Sequence, residues 1–315
     1  MRLDRFDLNL LVALDALLDE RNVTRAADRL RLGQSATSAA LARLREFFED
    51  ELLTQVGRQF ELTPLAQALV EPVKDTLVRA RAAISTRPDF DPSTISRTFR
   101  ICASDYATYV LVSRVAIALA QRASGFQLEI AHLPKHVEQV FGLGDIDLLI
   151  LPEQYASRIA HPQTHLLSDD HVCMMCRERP LRRGKLSEDD YFAADHVNVR
   201  LGEAGSFSFE ELFFPRAGRP RKIACTVDSY CLLPRMLCGT DRIATLHRLL
   251  AQDLALHYPV KFVGFPFEIP RLNESMIWPS FRDQDPSHKF LRQVFAECAA
   301  QIASEGRSRA RASRK

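Results

Sequence analysis

Residues 24 to 44 read Thr-Arg-Ala-Ala-Asp-Arg-Leu-Arg-Leu-Gly-Gln-Ser-Ala-Thr-Ser-Ala-Ala-Leu-Ala-Arg-Leu, the pattern of two short helices joined by a tight turn. Ala26, Ala27 and Leu30 fall on one helical face. Thr24 stands where its hydroxyl can accept a backbone N–H left unpaired at the helix start. Leu32 and Gly33 make the turn, since glycine tolerates a change of chain direction. The second helix is expected to bury Ala36, Ala40, Leu41 and Leu44 and to turn Gln34, Ser35, Thr37, Ser38 and Arg43 outward. Short polar side chains at a helix N-terminus are what a helix-turn-helix sets against bases and phosphates in the major groove. An ordinary helical hairpin would satisfy the same spacing, so the flanking residues decide.

Those flanks carry a family resemblance. Phe6-Asp7-Leu8-Asn9-Leu10-Leu11 leads into a helix bearing Leu14, Leu17 and Leu18, and Leu52-Leu53…Gly57-Arg58…Leu62-Thr63-Pro64 follows the paired helices. Together residues 1–66 resemble the winged helix-turn-helix of LysR-type transcriptional regulators, with a wing and the entry to a linker helix. Within that family the chain is most similar to the nodulation-regulator (NodD-type) branch. That likeness rests on Leu8 to Leu17, Asp50-Glu51-Leu52, Gly57-Arg58, Phe90-Asp91-Pro92, Leu149-Ile150-Leu151-Pro152-Glu153 and Trp278-Pro279, and reaches to about residue 303. The resemblance implies that Gln34, Ser35, Thr37, Ser38, Arg43 and Arg58 contact DNA. The chain departs from the pattern at Gly33, where a capping Ser is usual, at Ala39, where many members carry Arg, and at Val56, where the branch has a wing Arg. Arg43, Arg45 and Arg58 are left to supply more of the positive charge.

Charge does not announce a DNA binder. The whole chain carries a formal net charge of +2. Residues 1–64 hold nine Arg and no Lys against eleven Asp plus Glu, a net −2. Because non-specific affinity scales with the phosphates neutralised, recognition has to rest on local placement rather than bulk attraction. At 315 residues and 46% hydrophobic, the chain is long enough for two or three domains with their own cores. No basic-apolar-small leader opens it and no uncharged apolar run approaches the roughly 18 residues of a membrane span, which points to a cytoplasmic location. The seven cysteines are odd in number and scattered through apolar stretches, unlike a disulfide framework.

From Pro64 to about Ser85, Leu65, Ala68, Leu69, Val73, Leu77, Ala80 and Ile84 recur at spacings of three and four, one long amphipathic helix with Pro72 inside it. A single apolar stripe beside a small DNA-binding domain suggests pairing between chains, although docking onto the chain's own body would use the same stripe. Arg87-Pro88-Asp89-Phe90-Asp91-Pro92-Ser93 reads as a hinge. Beyond it, strands at Thr98–Ala103, Gln127–His132, Ile146–Leu151, Val172–Cys176, Ala224–Val227, Arg242–Leu246 and Val260–Val263 alternate with helices. A final helix runs from about Pro286 to Ala303. Such alternation argues for parallel sheets covered on both faces, and a single large sheet would fit it. The resemblance implies instead two α/β subdomains like those of a periplasmic binding protein, crossing near residues 168 and 268, with the ligand between the lobes. The tail Arg307, Arg309, Arg311, Arg314, Lys315 is basic and expected to be disordered.

Several residues could do chemistry. Ser104-Asp105-Tyr106 opens a helix after the first effector-domain strand, where backbone N–H groups could hold a ligand oxygen or Ser104 and Asp105 could simply cap. Asp105 would repel a carboxylate, which favours a neutral or phenolic ligand. Tyr109, one turn on, could line the cleft or pack. His171 lies at the lobe crossover, and Trp278, with Phe265, Phe267 and Phe281, could form an aromatic wall or belong to the core. Cys173-Met-Met-Cys176 has a metal-like or redox-like spacing, but residues three apart on a strand point to opposite faces. Gly142-Leu-Gly144 is too short for a dinucleotide fingerprint.

The reading is therefore a winged helix-turn-helix (residues 1–63), a linker helix and hinge (64–90), a two-lobed α/β effector domain (91–303) and a basic tail (304–315). Its function is that of a ligand-responsive regulator, an activator induced by a flavonoid-like aromatic as in nodulation gene control. A regulator of aromatic-compound catabolism is the alternative within the family, and a cysteine-based redox or metal sensor or enzyme built on Cys173 and Cys176 the alternative outside it. The effector set is Ser104, Asp105, Tyr106, His171 and Trp278. Expected partners are promoter DNA, a small aromatic inducer, a homodimer or homotetramer and RNA polymerase, with no membrane, cofactor or catalytic residue.

Overall fold

The computed structural model describes residues 6–56, 59–85, 90–132, 146–181, 184–200 and 219–312. Two compact units meet in sequence at Arg87 and Pro88. The first opens with α1 (Asn9–Glu20), α2 (Val23–Leu30) and α3 (Gln34–Phe48). An antiparallel hairpin, β1 (Leu53–Val56) and β2 (Gln59–Leu62), and the long α4 (Pro64–Ser85) complete it. Leu10, Leu14 and Leu17 of α1 meet Ala26 of α2, Leu41 and Leu44 of α3, and Leu52 and Leu53 at the hairpin. These are the apolar positions that helical periodicity singles out.

The helix ends differ from expectation. Asn22, not Thr24, caps α2, its side chain accepting the Arg25 N–H at 3.0 Å. The chain turns at Arg31, whose φ of 54° is left-handed, while Gly33 at the start of α3 has an extended φ of −68° open to any residue. A left-handed non-glycine residue costs about 1–2 kcal/mol. The Arg31 N–H recovers part of that by reaching the carbonyl oxygens of Ala27 and Asp28.

In α3 the buried face is Thr37, Leu41 and Leu44, with Ala40 half-buried and Ala36 exposed. Leu41 and Leu44 are buried as expected, but Thr37 takes the place expected of Ala36 and is a core residue. Its hydroxyl donates to the Gly33 carbonyl at 3.3 Å and its methyl fills the space a valine would.

On α4, Val73 and Leu77 are buried against the unit's own helices, with Leu69 partly covered. Ile84 is exposed. Thr63 caps the helix by accepting the Ala66 N–H at 3.1 Å, and its hydroxyl donates to Asp50 at 2.6 Å, tying the hairpin to α4.

The second unit holds two five-stranded sheets. Lobe 1 contains β3 (Arg97–Cys102), β4 (Phe126–Ala131), β5 (Leu148–Pro152), β6 (Gln163–Asp169) and β12 (Leu272–Ile277), in the order β4-β3-β5-β12-β6. Lobe 2 contains β7 (His171–Cys176), β8 (Asp195–Val199), β9 (Lys222–Val227), β10 (Ile243–His247) and β11 (Val260–Gly264), in the order β11-β7-β10-β8-β9. The chain crosses from β6 to β7 at Asp170 and returns from β11 to β12 through residues 265–271, close to the crossings expected. The sheets are mixed, not parallel as the alternation suggested. β7 runs against β10 and β11, and β12 against β5 and β6, because each is the first strand its lobe receives from the other.

Seven described helices cover the sheets. Those that position the site are a single turn, α5 (Asp105–Ala107), continuing through a wide π-turn (Thr108–Val112) into α6 (Ser113–Arg122). In chain order α7 (Glu153–Ala156), α8 (Glu188–Ala193), α9 (Leu233–Leu237) and α10 (Arg248–His257) follow. α11 runs from Pro286 to Ala312, so residues 304–312 of the expected disordered tail continue a helix instead, while 313–315 lie outside the described residues. Phe295, Leu291 and Val294 of α11 pack with Phe99, Ile101 and Leu111 in a core that both lobes share.

Candidate functional site

On the first unit, Gln34, Ser35, Ala36, Ser38, Ala39 and Arg43 form the exposed face of α3. Ser35 and Ser38 are short hydroxyls near the helix N-terminus, able to donate to phosphate or to base edges. Arg43 pairs with Asp7 at 3.2 Å, but both side chains are largely exposed, so the pair is weak and can be exchanged for a phosphate. Thr37 is withdrawn from this face. Arg58 and Gly57 lie outside the described residues. Arg45 is committed elsewhere: its guanidinium donates to the carbonyls of Glu51 and Leu53 and so anchors the hairpin. Arg29 bridges Asp15 and Asp19, and Arg25 pairs with Glu20. Much of the positive charge counted in the sequence is thus spent holding helices together.

In the second unit, Ser104, Asp105 and Tyr106 lie together at the C-terminal end of β3 where the lobes meet. Ser104 caps α5, accepting the Ala107 N–H at 3.1 Å. Asp105 reaches across to lobe 2: its Oδ2 accepts the Ser229 hydroxyl at 2.8 Å and the Tyr230 N–H at 2.6 Å. Burial raises the Asp105 pKa, opposed by those bonds. Tyr106 is buried and its hydroxyl donates to Asp169 Oδ2 at 2.9 Å. Burial, and then the neighbouring Asp169 charge, hold the phenol well above its usual range. Tyr109 donates to Asp253 of α10, which likewise raises its pKa, to about 12. The cleft corner expected to hold a ligand oxygen is therefore already occupied in part by contacts between the lobes.

His171 is buried behind this corner. Its ring lies 4.8 Å from that of His247, which in turn packs 4.5 Å from Tyr106. Burial lowers the His171 pKa to about 4, so the imidazole is neutral at pH 7. It borders a cavity of about 260 Å³ with Phe265, Phe267, Asp170, Glu268, Ile269 and Arg271. Tyr191, Phe192, Phe265 and Phe267 form one aromatic cluster, with Phe192 and Phe267 stacked at 5.6 Å. A larger open groove of about 1330 Å³ runs between α10 and the end of α11, but its Arg248 and Arg271 are held by Asp170. The smaller cavity sets two phenylalanine ring faces and an imidazole beside the charged Asp170, Glu268 and Arg271.

Trp278 does not join this group. Trp278 follows the last residue of β12 and does not line the cavity beside His171. Its indole N–H donates to Asp283 at 2.9 Å and the Arg292 guanidinium stacks over it at 4.4 Å. Cys173 and Cys176 are buried, and burial pushes the Cys173 thiol far up, leaving it a poor nucleophile.

Three residues escaped the sequence reading. Asp169 accepts from Tyr106 and, at 2.9 Å, from the Leu249 N–H opening α10. His247 links Tyr106 to His171. Glu274 is buried, its Oε2 has no hydrogen-bond partner among the described residues, and burial raises its pKa to about 8. Glu274 sits in a strand of mixed polar and apolar residues, Leu-Asn-Glu-Ser-Met-Ile, which gave no sequence signal of its burial.

Comparison with known proteins agrees with this architecture. Residues 8–67 match the family of bacterial regulatory helix-turn-helix proteins of the lysR type, and residues 93–300 match the LysR substrate binding domain. Nodulation protein D of Bradyrhizobium sp. (strain ANU 289) is 38% identical over 307 residues, covering 98% of this chain and 90% of the relative. Nodulation protein D 2 of Rhizobium tropici is 38% identical over 304 residues, 96% of each chain. A probable transcriptional regulator from Pseudomonas aeruginosa superposes with a TM-score of 0.60 at 26% identity, covering 93% of this chain and 98% of that one. Full-length OxyR from the same species shares the fold, with a TM-score of 0.66 at 17% identity over 93% of this chain and 97% of its own. With a winged helix-turn-helix, a two-lobed α/β domain and both family regions matched in order, the chain belongs to the LysR family of DNA-binding transcriptional regulators.

Proposed function

We propose that this regulator activates a promoter in response to a small aromatic, flavonoid-like inducer, as in nodulation gene control. The observation that carries this is the likeness to nodulation D proteins over nearly the whole chain, effector domain included. The aromatic cavity beside His171 supports it, since Phe265 and Phe267 offer ring faces and the neutral imidazole a hydrogen bond to a phenol. Ser104 at the cleft corner is the second polar contact. Gln34, Ser35, Ser38 and Arg43, with Arg58 from the wing, would face promoter DNA. A homodimer or homotetramer places two such faces on a dyad-symmetric site, and RNA polymerase is the downstream partner. The work would be done in the cytoplasm; among the described residues no helix is long and apolar enough to cross a membrane.

Footprinting of the full-length protein on the promoter beside its own gene, with and without a panel of flavonoids and simple benzoates, tests this reading. A footprint altered by flavonoids and by no benzoate supports it. Response to benzoates alone would move the protein to aromatic catabolism, and a footprint indifferent to every aromatic would sink the inducer assignment.

A further inference from the structure

Asp169 and Asp170 stand at the point where the chain first leaves lobe 1 for lobe 2, and each carboxylate does a separate job. Asp169 ends β6. Its Oδ2 accepts the Tyr106 hydroxyl from lobe 1 and the Leu249 N–H from lobe 2, both at 2.9 Å, and its Oδ1 accepts the Asp170 N–H at 2.8 Å. A carboxylate buried to 3% exposure thus joins the first turn of α5 to the first turn of α10. Asp170 accepts Arg271 Nε at 2.7 Å and lies 3.6 Å from Arg248 Nε, while its carbonyl accepts the Arg248 N–H at 2.8 Å. Arg271 immediately precedes β12, so this ion pair ties the outgoing crossing to the returning one.

We infer that Asp169 is the positioning residue that fixes the angle between the lobes, with Asp170 fastening the two crossings beside it. The lobes then move by turning about this clamp, not by parting at it. Parting would strip Asp169 of two donors while it stays among apolar neighbours, and an unpaired buried carboxylate is far costlier than a lost surface bond. The surrounding contacts share the geometry: Asp105 to Ser229 and Tyr230, and Tyr109 to Asp253, all leave the same turn of lobe 1 for lobe 2. A ligand wedged beside His171 sits one residue from Asp170 and so acts with little leverage loss on the clamp. This last step rests on the effector reading above; the clamp does not.

The test uses the full chain. Asp169→Asn keeps the shape but turns one acceptor into a donor, and Tyr106→Phe removes only the lobe 1 bond while keeping the ring. Hydrogen exchange should show the Leu249 amide exchanging roughly threefold to tenfold faster in Asp169→Asn, with α11 core amides unchanged. Spin labels attached at Gln121 and Ala224 by non-cysteine chemistry, because the chain has seven cysteines, should report a shifted or broadened lobe-to-lobe distance in both variants. If the Leu249 amide and the distance distribution match the wild type in Tyr106→Phe, which leaves the core filled, the clamp is refuted even should Asp169→Asn fail to fold. Transcription from the promoter without inducer is read in parallel. A shifted distance with unaltered transcription would leave the clamp standing and overturn the effector reading instead.

Discussion

Glu274 makes the sharpest thermodynamic prediction. Its carboxyl is fully buried in β12, close enough to Tyr106 to disfavour the phenolate, and burial lifts its pKa from 4.5 to about 8. A carboxyl whose folded pKa is raised binds its proton more tightly in the native state than in the unfolded one. Its contribution to stability is complete below pH 4.5 and is lost as pH rises through 8. At 1.36 kcal/mol per pH unit the loss across that window is about 3 to 5 kcal/mol, a large part of a typical domain stability. Glu274→Gln mimics the protonated form and removes this slope. Trp278 is the chain's one tryptophan and lies in the effector unit, so urea unfolding followed by its fluorescence isolates that unit. At pH 5 the two proteins should agree to within about 1 kcal/mol, and at pH 8.5 the Gln variant should be the more stable by about 3 to 5. The raised Asp105 and Asp169 act with the same sign but are common to both, so the difference between the curves belongs to Glu274. Curves that stay parallel from pH 5 to 8.5 would show that Glu274 is hydrated or paired in solution and would refute the reasoning.

Other substitutions separate the faces of each element. Ser38→Glu sets a negative charge towards phosphates and should abolish specific operator binding with the melting temperature nearly unchanged, whereas Thr37→Val, in the core, should keep native affinity in a mobility-shift assay. Leu77→Ala should destabilise the DNA-binding unit by about 2–5 kcal/mol, visible in its own calorimetric transition; a stable protein that merely dissociates would show instead that this stripe pairs between chains. Trp278→Phe keeps an aromatic ring, so it should leave the half-maximal inducer concentration unaltered in a reporter assay, and a large shift would return Trp278 to the effector site.

Much of the fold was legible because it is written locally. The runs Leu148 to Leu151 and Val172 to Cys176 are strand-like on any register, and the spacing of Leu10, Leu14 and Leu17 allows little besides a helix with one buried face. β6, β8 and β12 were missed because Gln163 to Asp169, Asp195 to Val199 and Leu272 to Ile277 mix polar and apolar residues, and only their neighbours in the sheet make them strands. Thr37 was placed on the wrong face of α3 for a related reason. Its small side chains are mostly alanines, which mark neither face, so one threonine could be placed on either side until Leu41 and Leu44 were seen to share its burial.

The effector corner was half legible, and the missing half shows what sequence distance hides. Ser104, Asp105 and Tyr106 were picked out because they start a helix after a strand, a local signal. What they bind is set by residues far along the chain: Asp169 lies 63 positions from Tyr106, and Tyr230 lies 125 from Asp105. A polar residue at a helix start can cap, hold a ligand or bridge two lobes, and these uses draw on the same donors and acceptors. Here Ser104 caps, Asp105 and Tyr106 bridge, and His171 borders an open cavity beside Phe265 and Phe267. The repulsion of an anion that the sequence suggested for Asp105 arises by a less direct route. Asp105 and Asp169 are already satisfied by lobe-to-lobe donors, so a second carboxylate arriving there would find no donor left and would face their charge across buried space. On the proposed effector reading, that constraint would favour a neutral ligand over an anion.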